Sequence, residues 1–434
     1  MKKMTAIALG ISLALGLSSC SNNSTPKQES SANETGTALG SGIDPANMDT
    51  SIAPQQDFFS YVNGKWVDNT QIPADKARWG SFDALSENSR NQVLDLIKEL
   101  AATQHHPDSD EFKIASLYKS YLDEKQIENL GLTPLYPQLD RIDKLNSYFQ
   151  LSRLWGEWQA QGTGVPIEFY IDQDDKNSNQ YITGIWQSGL GLPDREYYLK
   201  DDARSQELLK KYEAYVAQLL ELGGFTDTQQ SAKNILAIEK KIAAIHWTRI
   251  KNRDRNAIYN KMTVKELKEL APGVDWQALI NAAGLGNILD LVVNQPTYIA
   301  ELAKLQTKIP LDHWKQYLNF HLLNSNAGNL SRAFDEANFG FYGKTLNGLQ
   351  EQRSREKRAA TITETNLGFL VGKMYVEKYF KPEAKARMDE MIENLRVAYS
   401  EAINELEWMS PETKLQAQEK LAKFNTKIGY PEKW

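Results

Sequence analysis

Cysteine occurs once in these 434 residues, at Cys20, so no disulfide closes within the chain and no paired-thiol metal or redox site can form from it. Histidine is nearly as scarce, with five. None of them falls in an H-E-x-x-H string, which would set two imidazoles one helical turn apart for a metal. There is no Gly-x-Ser-x-Gly, no P-loop and no dinucleotide glycine fingerprint, so the motifs of serine hydrolases, phosphate-binding NTPases and nicotinamide enzymes are missing. Basic excess is lacking too: 50 Lys and Arg face 56 Asp and Glu, a formal charge of −6, which argues against a nucleic-acid partner. The basic clusters Arg249–Arg255 (RIKNRDR) and Arg353–Arg358 (RSREKR) read as solvated faces. His105 and His106 are adjacent in a polar stretch, His246 sits beside Trp247, and His313 and His321 are two turns apart with Tyr317 between them. No metal site is expected in this chain.

What is present begins with a leader. Lys2 and Lys3 precede an apolar run from Ala6 to Leu17, which is too short to span a bilayer and has the form of a targeting signal. It ends in Leu17-Ser18-Ser19-Cys20, which resembles a bacterial lipobox. Residues 1–20 are therefore expected to be a lipoprotein signal ending at Cys20, whose lipid would hold the protein on the bacterial cell envelope, at the periplasmic or cell-surface side. Each buried methylene of such a chain contributes about 0.8 kcal/mol. From Ser21 to Gly42 the residues are mostly Ser, Asn, Thr, Gly and Ala, too polar to fold, so this is expected to be a flexible tether reaching about 25 Å.

From residue 43 to 434 the pattern is mainly helical, a large α lobe with one small β-hairpin. Helical stripes start at Ser81 and at Ser109, the second stopping at Gly131, and others run over Arg204–Leu222 and Thr228–His246 before Gly223-Gly224 and Trp247. Thr263 and Glu266 form a capping box, Ser410 and Pro411 a start signal. Val165, Ile167, Phe169 and Ile171 alternate with polar residues, and DDKNSNQ separates them from Tyr181–Trp186; the spacing predicts a hairpin over about 165–187. GLGLPDREYY, from Gly189 to Tyr198, is a loop, and a further helix is expected over Leu367–Phe380.

The stretch Asp57–Arg90 stands apart. Phe58, Phe59, Tyr61, Trp66, Trp79 and Phe82 fall within it, enough apolar area to anchor the segment on a larger body. Among them is Arg78, whose planar fork of donors suits a carboxylate or phosphate. The plainer alternative is that it pairs with Asp75 or Asp83 and stacks on Trp79.

DFFSYVNGKW followed by IPADKARWGSF, then GLGLPDREYY, YNKMTVKEL and FGFYGKTLNGLQEQRSREKRA, resembles the N-terminal region of the neprilysin and endothelin-converting-enzyme family of zinc metallopeptidases, over about residues 43–434. The resemblance implies the N-terminal part of a two-lobed enzyme that hydrolyses short peptides with zinc-activated water. It implies that Arg78, in the family's R-[YW]-G element, takes the free carboxylate of a peptide's C-terminus. The zinc ligands and catalytic glutamate of that family lie beyond a string like IGYPEKW, in a catalytic domain that would be this chain's partner. No catalytic or metal-binding residue carries over, and the chain by itself is expected to bind no zinc and to be inactive. The competing expectation is a non-catalytic envelope lipoprotein that binds peptides or glycans.

Overall fold

The structure, a computed structural model, describes residues 42–434; the expected leader, Cys20 and the tether as far as residue 41 lie outside the described residues. The described residues divide into two compact units, one ending at Thr70 and the other running over Gln71–Trp434. In the first, helix α1 (Phe58–Asn69) starts where the Asp57 carboxylate accepts the Ser60 amide, and the Asp49 amide donates to the Tyr61 carbonyl. Phe58 and Phe59 are exposed, as is Phe82 in the second unit.

The second unit is mainly helical, in the order α2 (Ser81–Ala102), α3 (Asp110–Leu122), α4 (Glu124–Leu130), α5 (Tyr136–Asp143), α6 (Tyr148–Ala160), strands β1 (Ile167–Asp174) and β2 (Asn177–Gln187), and α7 (Glu196–Leu199). Next come α8 (Ala203–Leu222), α9 (Thr228–Ile245), β3 (Lys261–Thr263), α10 (Val264–Leu270), α11 (Trp276–Ala282), β4 (Asp290–Val293), α12 (Pro296–Lys308) and α13 (Leu311–Asn326). It closes with α14 (Arg332–Asn338), a π-helical segment over Phe339–Leu346, α15 (Arg355–Tyr379), α16 (Pro382–Glu405) and α17 (Pro411–Ala422). Thr263 and Glu266 make the reciprocal capping box, and Ser410 caps α17 with Pro411 at its first position.

Local chemistry explains the departures from pattern. The helix expected from Ser109 to Gly131 is two helices, because the Asp123 carboxylate accepts the Gln126 amide and starts a new one. The helix expected at Leu367 begins already at Arg355, and Leu367 marks a break inside it at φ −125° and ψ 32°. Helix α2 begins at Ser81, but Gly80 occupies the cap and no side chain satisfies it. Of its apolar stripe Val93, Leu96 and Ile97 are buried, whereas Phe82 and Leu85 stay exposed.

The hairpin is part of a larger sheet, ordered β1-β2-β4-β3. β4 runs parallel to β2, pairing Gly184 with Val292, and antiparallel to β3. Gly184 is dictated by its neighbour: a Cβ there would lie 2.1 Å from the Tyr170 ring, whose hydroxyl donates to the Asn294 side chain.

Two hydrophobic cores result. The smaller joins α2, α3 and α15 through Val93, Ile97, Ile114, Tyr118 and Val371. The larger is built from residues of helices α5 to α14 and the inner face of the sheet, with Trp155, Trp158, Trp276 and Trp314 fully enclosed. At its centre is a charged group, Glu239 of α9, with no exposed surface. One carboxylate oxygen accepts the Tyr212 hydroxyl at 3.1 Å, the Gly191 amide at 3.2 Å and a 2.9 Å contact from His321 Nε2. The other accepts the Tyr198 hydroxyl at 2.8 Å. Burial, then the charge of Glu239, pushes both tyrosines well above their usual range, so they stay protonated donors. Gly191 has to be glycine, since a Cβ would fall 1.8 Å from the Tyr212 hydroxyl.

Removing one member of a buried charged network leaves the others uncompensated and costs about 3–5 kcal/mol. Glu239→Ala is expected to lower the unfolding free energy by that amount in urea titrations, and a loss below about 1 kcal/mol would contradict this account of the core.

Candidate functional site

Arg78 lies in an irregular segment, Gln71–Gly80, that leads into α2. Its side chain is 89% exposed, and within Gln71–Trp434 its partner is Asp83, with Nε 3.7 Å from Oδ1. Of the two acidic neighbours the sequence offers, it is Asp83 that lies close, while Asp75 lies by Lys76 instead. A contact of that length to so exposed a guanidinium contributes about 0–1 kcal/mol, so Asp83 engages Arg78 only weakly. Phe82 and Leu85 are exposed at the same end of α2. The result is a cation with weakly engaged donors, an arrangement that can hold a carboxylate.

The segment carrying Arg78 is not loose, despite its irregular backbone. The Ala74 carbonyl accepts the amides of Gln350 and Glu351, each at 3.1 Å. Lys76 Nζ meets Glu87 Oε2 of α2 at 2.6 Å, and Lys357 Nζ of α15 meets the other oxygen at 2.5 Å. Burial alone would raise the Glu87 carboxyl, but the hydrogen bonds and charges of Lys357 and Lys76 outweigh it and hold it at about 2.

This overturns the reading of RSREKR as a solvated face. Arg355 donates twice to the Tyr121 carbonyl and its guanidinium lies 4.0 Å over the Tyr121 ring. Glu356 pairs with Lys98, Lys357 with Glu87, and Arg358 places one nitrogen 2.8 and 2.7 Å from the two oxygens of Asp335. The turn links both cores, since Asp335 belongs to α14 and Tyr121 to α3.

Among the described residues no group of three His, Cys, Asp or Glu side chains is placed to hold a metal. His321 is committed to Glu239 inside the core. His246 contacts the Ser188 carbonyl through Nε2, and burial, only partly offset by that bond, lowers it to about 4, so it is neutral near pH 7. His105 bonds the Leu100 carbonyl and Thr103, and His106 contacts Asp108. Cys20 lies outside the described residues.

A large helical lobe carrying one small mixed sheet is the fold of two-lobed zinc metalloproteases, and comparison with solved structures bears this out. The Mycobacterium tuberculosis zinc metalloprotease Zmp1 in complex with an inhibitor matches with a TM-score of 0.86 at 37% identity, over 92% of this chain and 60% of that one. The open state of Zmp1 matches at 0.75 over 88% of this chain. Among curated proteins, rat (Rattus norvegicus) endothelin-converting enzyme 1 is 29% identical over 402 residues, 89% of this chain and 52% of its own length. The sequence profile of the N-terminal part of peptidase family M13 matches residues 54–431. The chain belongs to peptidase family M13, and it spans about half the length of the curated relatives it matches.

The clamp yields a pH dependence. Glu87 ionises near 2 in the folded chain against 4.5 ordinarily, so its contribution is complete above about 4.5 and is lost as pH falls toward 2. In urea titrations wild type should be more stable than Glu87→Gln above pH 5, with the gap closing as pH is lowered through that window. A gap that does not change with pH would refute the assignment.

Proposed function

We propose that this chain is the substrate-enclosing N-terminal region of a zinc metalloendopeptidase that hydrolyses short peptides, and that Arg78 takes the C-terminal carboxylate of the substrate. The observation that carries the reading is Arg78 itself, exposed in the R-W-G element at the mouth of α2 with only a long contact to Asp83, in a chain of peptidase family M13. The family membership supports zinc as the cofactor of the intact enzyme. In this reading the zinc and the water it activates are supplied by residues outside this chain, which contains no H-E-x-x-H, and the chain alone hydrolyses nothing. Its own residues bind and orient the peptide. Cys20, lipidated, would hold the protein on the bacterial cell envelope.

A charge-assisted bond from a guanidinium to a carboxylate contributes about 1.5–3 kcal/mol, or one to two decades in affinity. In a protein extended through its catalytic half, Arg78→Ala is expected to narrow the ratio of kcat/KM between a free-acid peptide and its C-terminal amide by that factor, chiefly through KM. Equal discrimination by mutant and wild type would sink the assignment.

A further inference from the structure

Arg78 has no strong side-chain contact within its unit, so its direction is set by the backbone of the segment that bears it. Three ties hold that backbone. Two are the amides of Gln350 and Glu351 on the Ala74 carbonyl. The third is an ion pair, Lys76 on Glu87, two residues before Arg78. Glu87 has both oxygens occupied: Lys76 on one side and Lys357 on the other, with side chains 13%, 15% and 30% exposed respectively. Lys357 in turn stands between Arg355 and Arg358, which fasten the start of α15 to Tyr121 and Asp335.

We infer that Glu87 is a positioning residue for Arg78: by bridging Lys76 and Lys357 it fixes the 71–80 segment against the first turn of α15 and so aims the guanidinium at a peptide carboxylate. The inference rests on the reading of Arg78 as the carboxylate anchor. A carboxylate is suited to the task because it bonds two ammonium groups from different elements at once, and the second-turn position on α2 keeps it within reach of both. A glutamine in its place keeps the shape and removes the charge. It leaves two half-buried lysines facing each other across a neutral amide, so the segment gains freedom without any loss of core packing.

The experiment uses the full chain and two readouts. Hydrogen exchange in Glu87→Gln and in Lys357→Met is expected to accelerate by about tenfold in residues 71–80 while α8 and α13 are unaffected; Lys357→Arg, which preserves the charge, is expected to leave it at the wild-type rate. The second readout is the Arg78 Nε–H resonance in 15N-labelled protein, assigned by its absence in Arg78→Ala. It is followed during titration with an N-acetylated tripeptide and, separately, with the C-terminal amide of that peptide. Wild type and Lys357→Arg should favour the acid by at least about fivefold, and Glu87→Gln and Lys357→Met should lose that preference. If exchange in 71–80 is unchanged in Glu87→Gln, or if it accelerates while the preference persists, Glu87 does not position Arg78 and the inference fails with the anchor intact. If the wild-type resonance responds equally to acid and amide, the anchor reading fails and takes this inference with it.

Discussion

The lobe depends on one buried carboxylate. Glu239 has no exposed surface and gathers donors from the Gly189–Asp194 loop, α7, α8 and α13. A carboxyl group in such a place is tolerable only if its polar atoms are hydrogen-bonded, and that requirement fixes the separation of the elements that supply the donors. The same demand reaches outward: Tyr342 of the π-helical segment donates to the Gly191 carbonyl at 2.9 Å, and Tyr317 donates to the Gly189 carbonyl at 2.7 Å. The GLGLPD loop is thus held by its own backbone groups on tyrosines, which accounts for its glycines better than flexibility does.

A second set of charges governs the other core. Asp335, Arg358, Arg355, Lys357, Glu87 and Lys76 form a run of contacts from α14 through α15 to the segment of Arg78. Most of these side chains are half-buried, so they are screened less than surface pairs and can hold direction as well as charge. The small core of α2, α3 and α15 supplies packing, and this run supplies the register between it and the larger body.

Much of the fold was legible in local signals. The capping box at Thr263, the Ser410-Pro411 start, the Gly223-Gly224 stop and the alternation before Tyr181 report chemistry that acts within a few residues, and the structure follows them. What was not legible depends on contacts between distant segments. RSREKR looks like a solvated face because partners such as Tyr121, Lys98, Glu87 and Asp335 are not its neighbours in sequence. Glu239 left a fainter trace: it stands four residues after Ile235 and three before Ile242, on the buried face of α9, where a charged residue calls for a partner. Phe82 and Leu85 misled in the opposite sense, since helical periodicity identifies an apolar face but not what covers it. Arg78 was singled out by its aromatic setting and by family resemblance, whereas the contacts of Lys76, Glu87 and Lys357 required coordinates.

We propose that these residues enclose and orient a peptide while the metal chemistry is supplied from elsewhere. This is tested most directly by incubating the purified 434-residue chain with an internally quenched fluorogenic peptide and equimolar zinc. No hydrolysis above the buffer rate is expected. Cleavage that a chelator abolishes and added zinc restores would place a working metal centre within this chain and contradict the account.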